Sequence, residues 1–148
     1  MSVRAFVINL DRSPDRLHFM QAQAERHGLP FERVPAVDGY DVPDEFARYF
    51  AHYRTGEAPL LAPGAIGCYA SHIKTWRIIR DRGLPFAMVM EDDAEFDDDI
   101  VAALAGALTT LPPGWDFVNL SGRTPQHACK PLARVPYDRH LVRYSRVP

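Results

Sequence analysis

The apolar segment Phe86 to Met90 (FAMVM) runs without a gap into Glu91-Asp92-Asp93. Three adjacent carboxylates repel one another, and a hard divalent cation relieves that repulsion. Oxygen donors with no His or Cys cluster beside them in the sequence favour Mg²⁺ or Mn²⁺ over zinc. A cation so held can grip a phosphate or diphosphate. The alternative is an acidic turn that keeps a strand end in water. A second acidic run, Asp97-Asp98-Asp99, precedes IVAALAGAL. There the expectation is helix capping and compensation of the helix dipole.

Two further stretches could touch a ligand. In Asn9-Leu10-Asp11-Arg12-Ser13-Pro14-Asp15-Arg16, a short apolar strand ends and a helix begins. Backbone N–H groups at a helix start attract phosphate, and Arg12 or Arg16 could add a charged fork; a surface Asp–Arg pair is the plainer alternative. In Gly64-Ala65-Ile66-Gly67-Cys68-Tyr69-Ala70-Ser71-His72, a glycine-bearing loop enters a helix, with Ser71 and His72 about one turn inside. Taken alone, His72 reads as a core histidine and Trp76 as core packing. GxGxxG, Walker A, GxSxG and HExxH sequences are all lacking. A Rossmann dinucleotide turn, a P-loop NTPase and a hydrolase triad are therefore disfavoured.

The elements that must position these residues follow from periodicity. Val3 to Asn9 and Phe31 to Val34 read as strands. Between them, Ser13-Pro14 opens a helix that Gly28 closes, which makes a βαβ unit with a parallel strand pair. Val37 to Pro63 is loop-rich around one short helical piece, Asp44 to Tyr53. A long helix is expected over Ile66 to Arg80, with Tyr69, His72, Ile73, Trp76 and Ile79 on one face. Strand candidates follow at Phe86 to Met90, Trp115 to Leu120 and His140 to Arg146. The fold class is α/β with a mostly parallel sheet flanked by helices. Ligands of such sheets bind beyond the carboxyl ends of the strands, where Glu91-Asp92-Asp93 falls.

Composition agrees with one globular domain over residues 1–148. Hydrophobic residues make up 47%, charged residues 24%, and the net charge is −2. No basic face for nucleic acid is implied. Thirteen prolines predict short elements and stiff connections. Cys68 and Cys129 lie far apart with no CxxC, so free thiols in a reducing compartment are expected. The first residues lack a signal peptide's long apolar stretch. Ile100 to Leu111 is too short to span a bilayer, so a soluble cytoplasmic protein is expected.

Five segments, in order, resemble glycosyltransferase family 25, which includes bacterial lipopolysaccharide galactosyltransferases and collagen galactosyltransferase domains. They are VINLDRSPDR (Val7 to Arg16), PAVDG (Pro35 to Gly39), PGAIGCYASHIKTW (Pro63 to Trp76), FAMVM with EDD (Phe86 to Asp93) and WDFVNLSG (Trp115 to Gly122). The resemblance implies a Rossmann-like, GT-A type fold that binds a nucleotide-diphosphate sugar. It implies metal-dependent transfer of a hexose, galactose first, from a UDP-sugar to a saccharide or glycolipid acceptor in lipopolysaccharide or surface-glycan synthesis. The implied cofactor is Mn²⁺ or Mg²⁺. Glu91-Asp92-Asp93 resembles a DxD-type motif, with Asp93 the first metal ligand and Glu91 on the ribose or a metal water. Asn9, Leu10, Arg12, Arg16 and Asp38 fall around the nucleotide, and Gly67, Ser71 and His72 near the donor.

Family members normally continue into a segment that supplies acceptor contacts and a base. On that comparison residues 1–148 are the donor-binding half. His127 and His140 match nothing recognisable, and neither Asp116 nor Asp138 stands out as the base. From Asp116 onward, six basic residues face two acidic ones. This basic tail suits peripheral contact with anionic headgroups at the inner face of the membrane, although a solvated end is the plainer reading. The competing functions are a binding module without transfer activity and a Mg²⁺-dependent phosphohydrolase. The latter is disfavoured because strand one ends in Asn9-Leu10-Asp11 rather than a DxD-type nucleophile.

Overall fold

Strand β1 is Ala5–Asn9, and all five residues are buried, as befits a strand covered on both faces. The structure is a computed structural model that describes residues 3–53, 61–96, 98–111, 115–118, 120, 131–134 and 142–144. After β1, the Ser13 amide donates to the Leu10 carbonyl at 2.9 Å, and helix α1 (Pro14–His27) begins. Pro14 suits this position because its ring presets φ and the missing N–H would be unpaired anyway. Ser13 stands at the N-cap, but its hydroxyl makes no capping bond. Gly28 ends α1 at φ 63°, a left-handed conformation that glycine adopts without strain.

Strand β2 (Phe31–Pro35) then pairs parallel to β1, Ala5 opposite Phe31 and Asn9 opposite Pro35. Helix α2 (Asp44–Ala47) and a 3-10 segment (Arg48–Tyr53) follow, where one helical piece was expected. Helix α3 (Pro63–Asp81) leads to strand β3 (Met88–Glu91). β3 is parallel to β1 on its other side, so the order is β2-β1-β3. The βαβ reading holds, and the fold is Rossmann-like α/β. The third strand begins two residues later than expected and includes Glu91.

Side-chain alternation sends Ala5 and Val7 to one face of β1 and Phe6 and Ile8 to the other. On the first face Ala5, Val7, Met20 and Met90 form a core cluster, which anchors α1 through Met20. A second cluster joins Val37, Phe46, Phe50 and Ala70, tying the loop-rich insertion to α3. The expected aromatic face of α3 is not its buried stripe: Tyr69 and Trp76 are exposed. The buried residues are Gly67, Ala70, Ser71 and Thr75. Small residues let the helix approach closely, and two hydroxyls satisfy themselves on helix carbonyls, Ser71 on Gly67 and Thr75 on Ser71.

The chain divides into two compact units, Met1–Phe96 and Asp97–Pro148. In the second, helix α4 (Ile100–Thr110) buries Leu104, Gly106 and Ala107. Asp99 is its N-cap residue, yet its side chain makes no cap hydrogen bond, so the capping expectation fails there; Asp97 lies outside the described residues. Strands β4 (Pro131–Arg134) and β5 (Val142–Tyr144) pair antiparallel. β5 falls inside the expected last strand, and β4 was not foreseen. Residues 115–118 and 120 carry no strand, against expectation. Among the described residues no helix is long and apolar enough to cross a membrane.

Candidate functional site

The parallel register brings the carboxyl ends of all three strands to one edge, with Ile8 beside Glu91 and Asn9 beside Pro35. The chain steps from β1 to β2 on one side and then crosses back over β1 to β3 on the other, so the crevice above β1 is a topological switch point. A cleft of about 180 Å³ opens there. Leu10, Arg12, Arg16, Asp38, Gly67, Ser71, His72, Glu91 and Asp92 all line it. Of the sequence-predicted residues, only Asn9 and Asp93 do not.

Asn9 lies beneath the cleft, 2% exposed. Its Nδ2 donates to the Ser13 carbonyl at 2.9 Å and to Asp92 Oδ2 at 2.7 Å. Its Oδ1 accepts from Arg33 Nε at 2.9 Å. Asp92 is buried and takes a further bond from Arg16 Nη1 at 3.0 Å. This bond, followed by the Asp92 charge, raises the Arg16 pKa. Asn9 and Asp92 therefore lock the end of β3 to the start of α1. Gln23 strengthens the lock by donating to the Ala94 carbonyl and accepting from the Phe96 amide.

Ser71 is also committed. Its hydroxyl donates to the Gly67 carbonyl at 2.6 Å and accepts from the Val37 amide at 2.8 Å. It thus staples α3 to the loop after β2. The same junction explains two glycines. A Cβ on Gly67 would come within 2.7 Å of the Gly39 nitrogen and Val37 oxygen, and one on Gly39 would overlap the Pro63 carbonyl oxygen. Backbone meets backbone here, and no side chain fits.

The rim carries the charges. Arg12 pairs with Asp38. The Tyr40 amide first, and Arg12 second, hold the Asp38 carboxyl below its usual range. Across the cleft, His72 Nε2 and Cys68 Sγ each stand 3.5 Å from Glu91 Oε1. The His72 contact, then that of Cys68, lowers the Glu91 pKa against the effect of burial. Burial, followed by the Glu91 charge, pushes the Cys68 thiol up to about 11. Asp93 is exposed. Its charge still reaches the cleft, contributing to the raised pKa values of Cys68 and Arg16.

The model of glycosyltransferase family 25, described as a lipopolysaccharide biosynthesis protein family, matches residues 3–141. The chain belongs to glycosyltransferase family 25. A glycosyltransferase 25 family member of Drosophila pseudoobscura pseudoobscura is 35% identical over 101 residues, covering 62% of this chain and 16% of the relative. Procollagen galactosyltransferase 1-B of Xenopus laevis is 30% identical over 146 residues, covering 93% and 24%. The human protein named inactive glycosyltransferase 25 family member 3 is 28% identical over 124 residues, covering 78% and 21%. This family 25 chain thus spans under a quarter of the length of these curated relatives.

Sequence reasoning missed three participants in the family 25 cleft. Cys68 is the free thiol the sequence predicts, but it also lines the cleft, and the one signal of this is that it precedes His72 by four residues on one helix and so shares its face. Arg33 was unremarkable in sequence, yet it holds both the side chain and the carbonyl of Asn9. Tyr40, 84% exposed, lines the cleft mouth, and no local pattern singled it out. Of the tail residues considered, Asp116 is exposed. His127, Asp138, His140 and most of the basic tail lie outside the described residues.

Proposed function

We propose that this chain is a metal-dependent hexosyltransferase whose cleft at the strand ends binds the sugar donor. It moves galactose from a UDP-sugar to a saccharide or glycolipid acceptor in lipopolysaccharide or surface-glycan synthesis, at the cytoplasmic face of a membrane. The observation that carries this reading is the convergence of Arg12, Arg16, Asp38 and Glu91 in one cleft at the strand ends. Family membership supports transfer chemistry. The family description and the relatives named procollagen galactosyltransferase support the sugar and the acceptor class.

The donor set fits a hard cation at two of the three carboxylates. Asp92 does not fit, because Asn9 and Arg16 occupy its two oxygens. Glu91 faces the cleft with its side chain 53% exposed, and Asp93, two residues further along the chain, is exposed. Mn²⁺ or Mg²⁺ would be held by these two. Once bound, such an ion neutralises charge that develops on a departing diphosphate. The guanidinium groups of Arg12 and Arg16 add fixed positive charge on the same side, where it counts most in the transition state. Leu10 and the first turn of α1 offer backbone N–H groups. Asp38, kept ionised, suits a ribose hydroxyl.

A second reading, donor binding without transfer, is favoured by the matched human and rat relatives that carry "inactive" in their names. Calorimetric titration with UDP, with and without Mn²⁺, followed by transfer assays from UDP-galactose, separates the two. Metal-enhanced binding with transfer supports the first, and binding alone supports the second. Phosphate release from simple esters without UDP binding overturns both.

A further inference from the structure

We infer that Cys68, His72 and Glu91 form a site for a borderline-soft divalent cation, zinc foremost, distinct in chemistry from a hard-cation site on Glu91 and Asp93. It stands whether or not the transferase reading does. Cys68 and His72 are four residues apart on α3 and so lie on one helix face. Glu91 is the last residue of β3. One ligand atom from each of the three lies within 4.8 Å of the others. The Sγ–Oε1 and Nε2–Oε1 separations are both 3.5 Å.

In a tetrahedral zinc site, with metal–ligand bonds of about 2.0–2.3 Å, neighbouring ligand atoms sit roughly 3.3–3.8 Å apart. Two of the three edges already have that length. The third closes with small side-chain rotations, while the backbone stays fixed by the Ser71–Val37 staple. Thiolate, imidazole and carboxylate together select zinc or cobalt over magnesium or manganese. Three protein ligands leave a fourth position for water or a ligand atom in the cleft. Binding forms the metal–sulfur bond and releases the thiol proton to solvent, with no change of oxidation state. Because Glu91 belongs to both donor sets, zinc and a hard cation compete for it.

The test is Co²⁺ titration of the full chain, with no nucleotide present, followed by displacement with Zn²⁺. The expected result is a thiolate-to-cobalt charge-transfer band with tetrahedral ligand-field bands, all abolished by zinc. Cys68→Ser should remove the charge-transfer band and weaken zinc binding by at least ~10–100-fold, the loss seen when even supporting residues of metal sites are removed. His72→Gln should weaken zinc similarly but keep the band in cobalt-saturated protein. Cys129→Ser should change neither. Absence of the band from parent protein with an intact circular dichroism spectrum overturns the inference. So does a band that follows Cys129, or equal zinc affinity in parent and His72→Gln. The last comparison decides the matter even where Cys68→Ser does not fold.

Discussion

Replacing Asn9 by Ala separates two roles for this residue, a ligand contact and a buried brace. The structure makes it a brace, 2% exposed and holding Asp92, Ser13 and Arg33. Hydrogen bonds to charged partners are worth about 1.5–3 kcal/mol each, and neutral ones about 0.5–1.5 kcal/mol. The Asp92 bond should be worth the most, because that side chain is 11% exposed and water cannot readily replace the lost donor. The Arg33 bond counts for less, since Arg33 is 31% exposed and keeps Asp11. The net loss should be about 3 kcal/mol, within a typical domain stability of about 5–15 kcal/mol. Urea denaturation followed by circular dichroism measures it. A double-mutant cycle with Asp92→Ala should return a coupling of about 1.5–3 kcal/mol. Stability within about 0.5 kcal/mol of the parent, with UDP binding lost, would refute the brace and restore Asn9 as a contact.

The glycine junction predicts that Gly67→Ala and Gly39→Ala each lose about 1–3 kcal/mol or more in thermal denaturation, as overpacking requires. Gly64→Ala, with nothing within 4 Å of its new Cβ, should lose none; equal losses at all three positions would contradict the close approach. Glu91→Gln tests the His72 contact. A carboxyl held below 4.5 in the folded state contributes stability above its unfolded pKa and loses it as pH falls through the folded value. The variant should therefore be less stable than the parent near pH 7, by under about 1 kcal/mol because the pair is partly screened. The gap should shrink below about pH 4.5, and a gap that stays flat into acid would refute the assignment. Asp93→Asn should abolish Mn²⁺-enhanced UDP binding with the melting temperature unchanged; equal UDP affinity in the two proteins, both with Mn²⁺, would exclude Asp93 from the ion's ligands.

Much of the fold was legible because local signals agreed. Ser13-Pro14 and Gly28 bracket α1 within one residue of the observed ends. The apolar run of β1 could only be a covered strand, and the helix between it and β2 called for a parallel crossover. Legibility failed where tertiary geometry overrides a local pattern. The aromatic residues of α3 look like a core stripe, yet the helix buries its small residues because backbone contact at Gly39 and Gly67 leaves no room for rings. Asn9 and Ser71 look like ligand contacts in a motif, because residues that shape a cleft and residues that touch its contents occur side by side. Burial, which sequence alone does not give, tells them apart. Cys68 failed for another reason: its partner Glu91 is 23 residues away, and only the α3–β3 crossover brings them together.

The acidic triplet shows how far a local electrostatic argument carries. Taken as a string, Glu91-Asp92-Asp93 is a run of mutual repulsion that calls for a cation. In the fold the three carboxylates have separate environments. Asp92 turns inward to Asn9 and Arg16, while Glu91 faces His72 and Cys68. Only Asp93 makes no hydrogen bond or ion pair among the described residues. Repulsion within the triplet is therefore largely relieved by the chain itself. The remaining attraction for a hard cation comes from two exposed carboxylates, and a diphosphate in the cleft would complete the ion's oxygen shell. On the proposed donor-binding reading, cation and diphosphate would each strengthen the other's hold, with Arg12 and Arg16 as the fixed positive charges at the cleft.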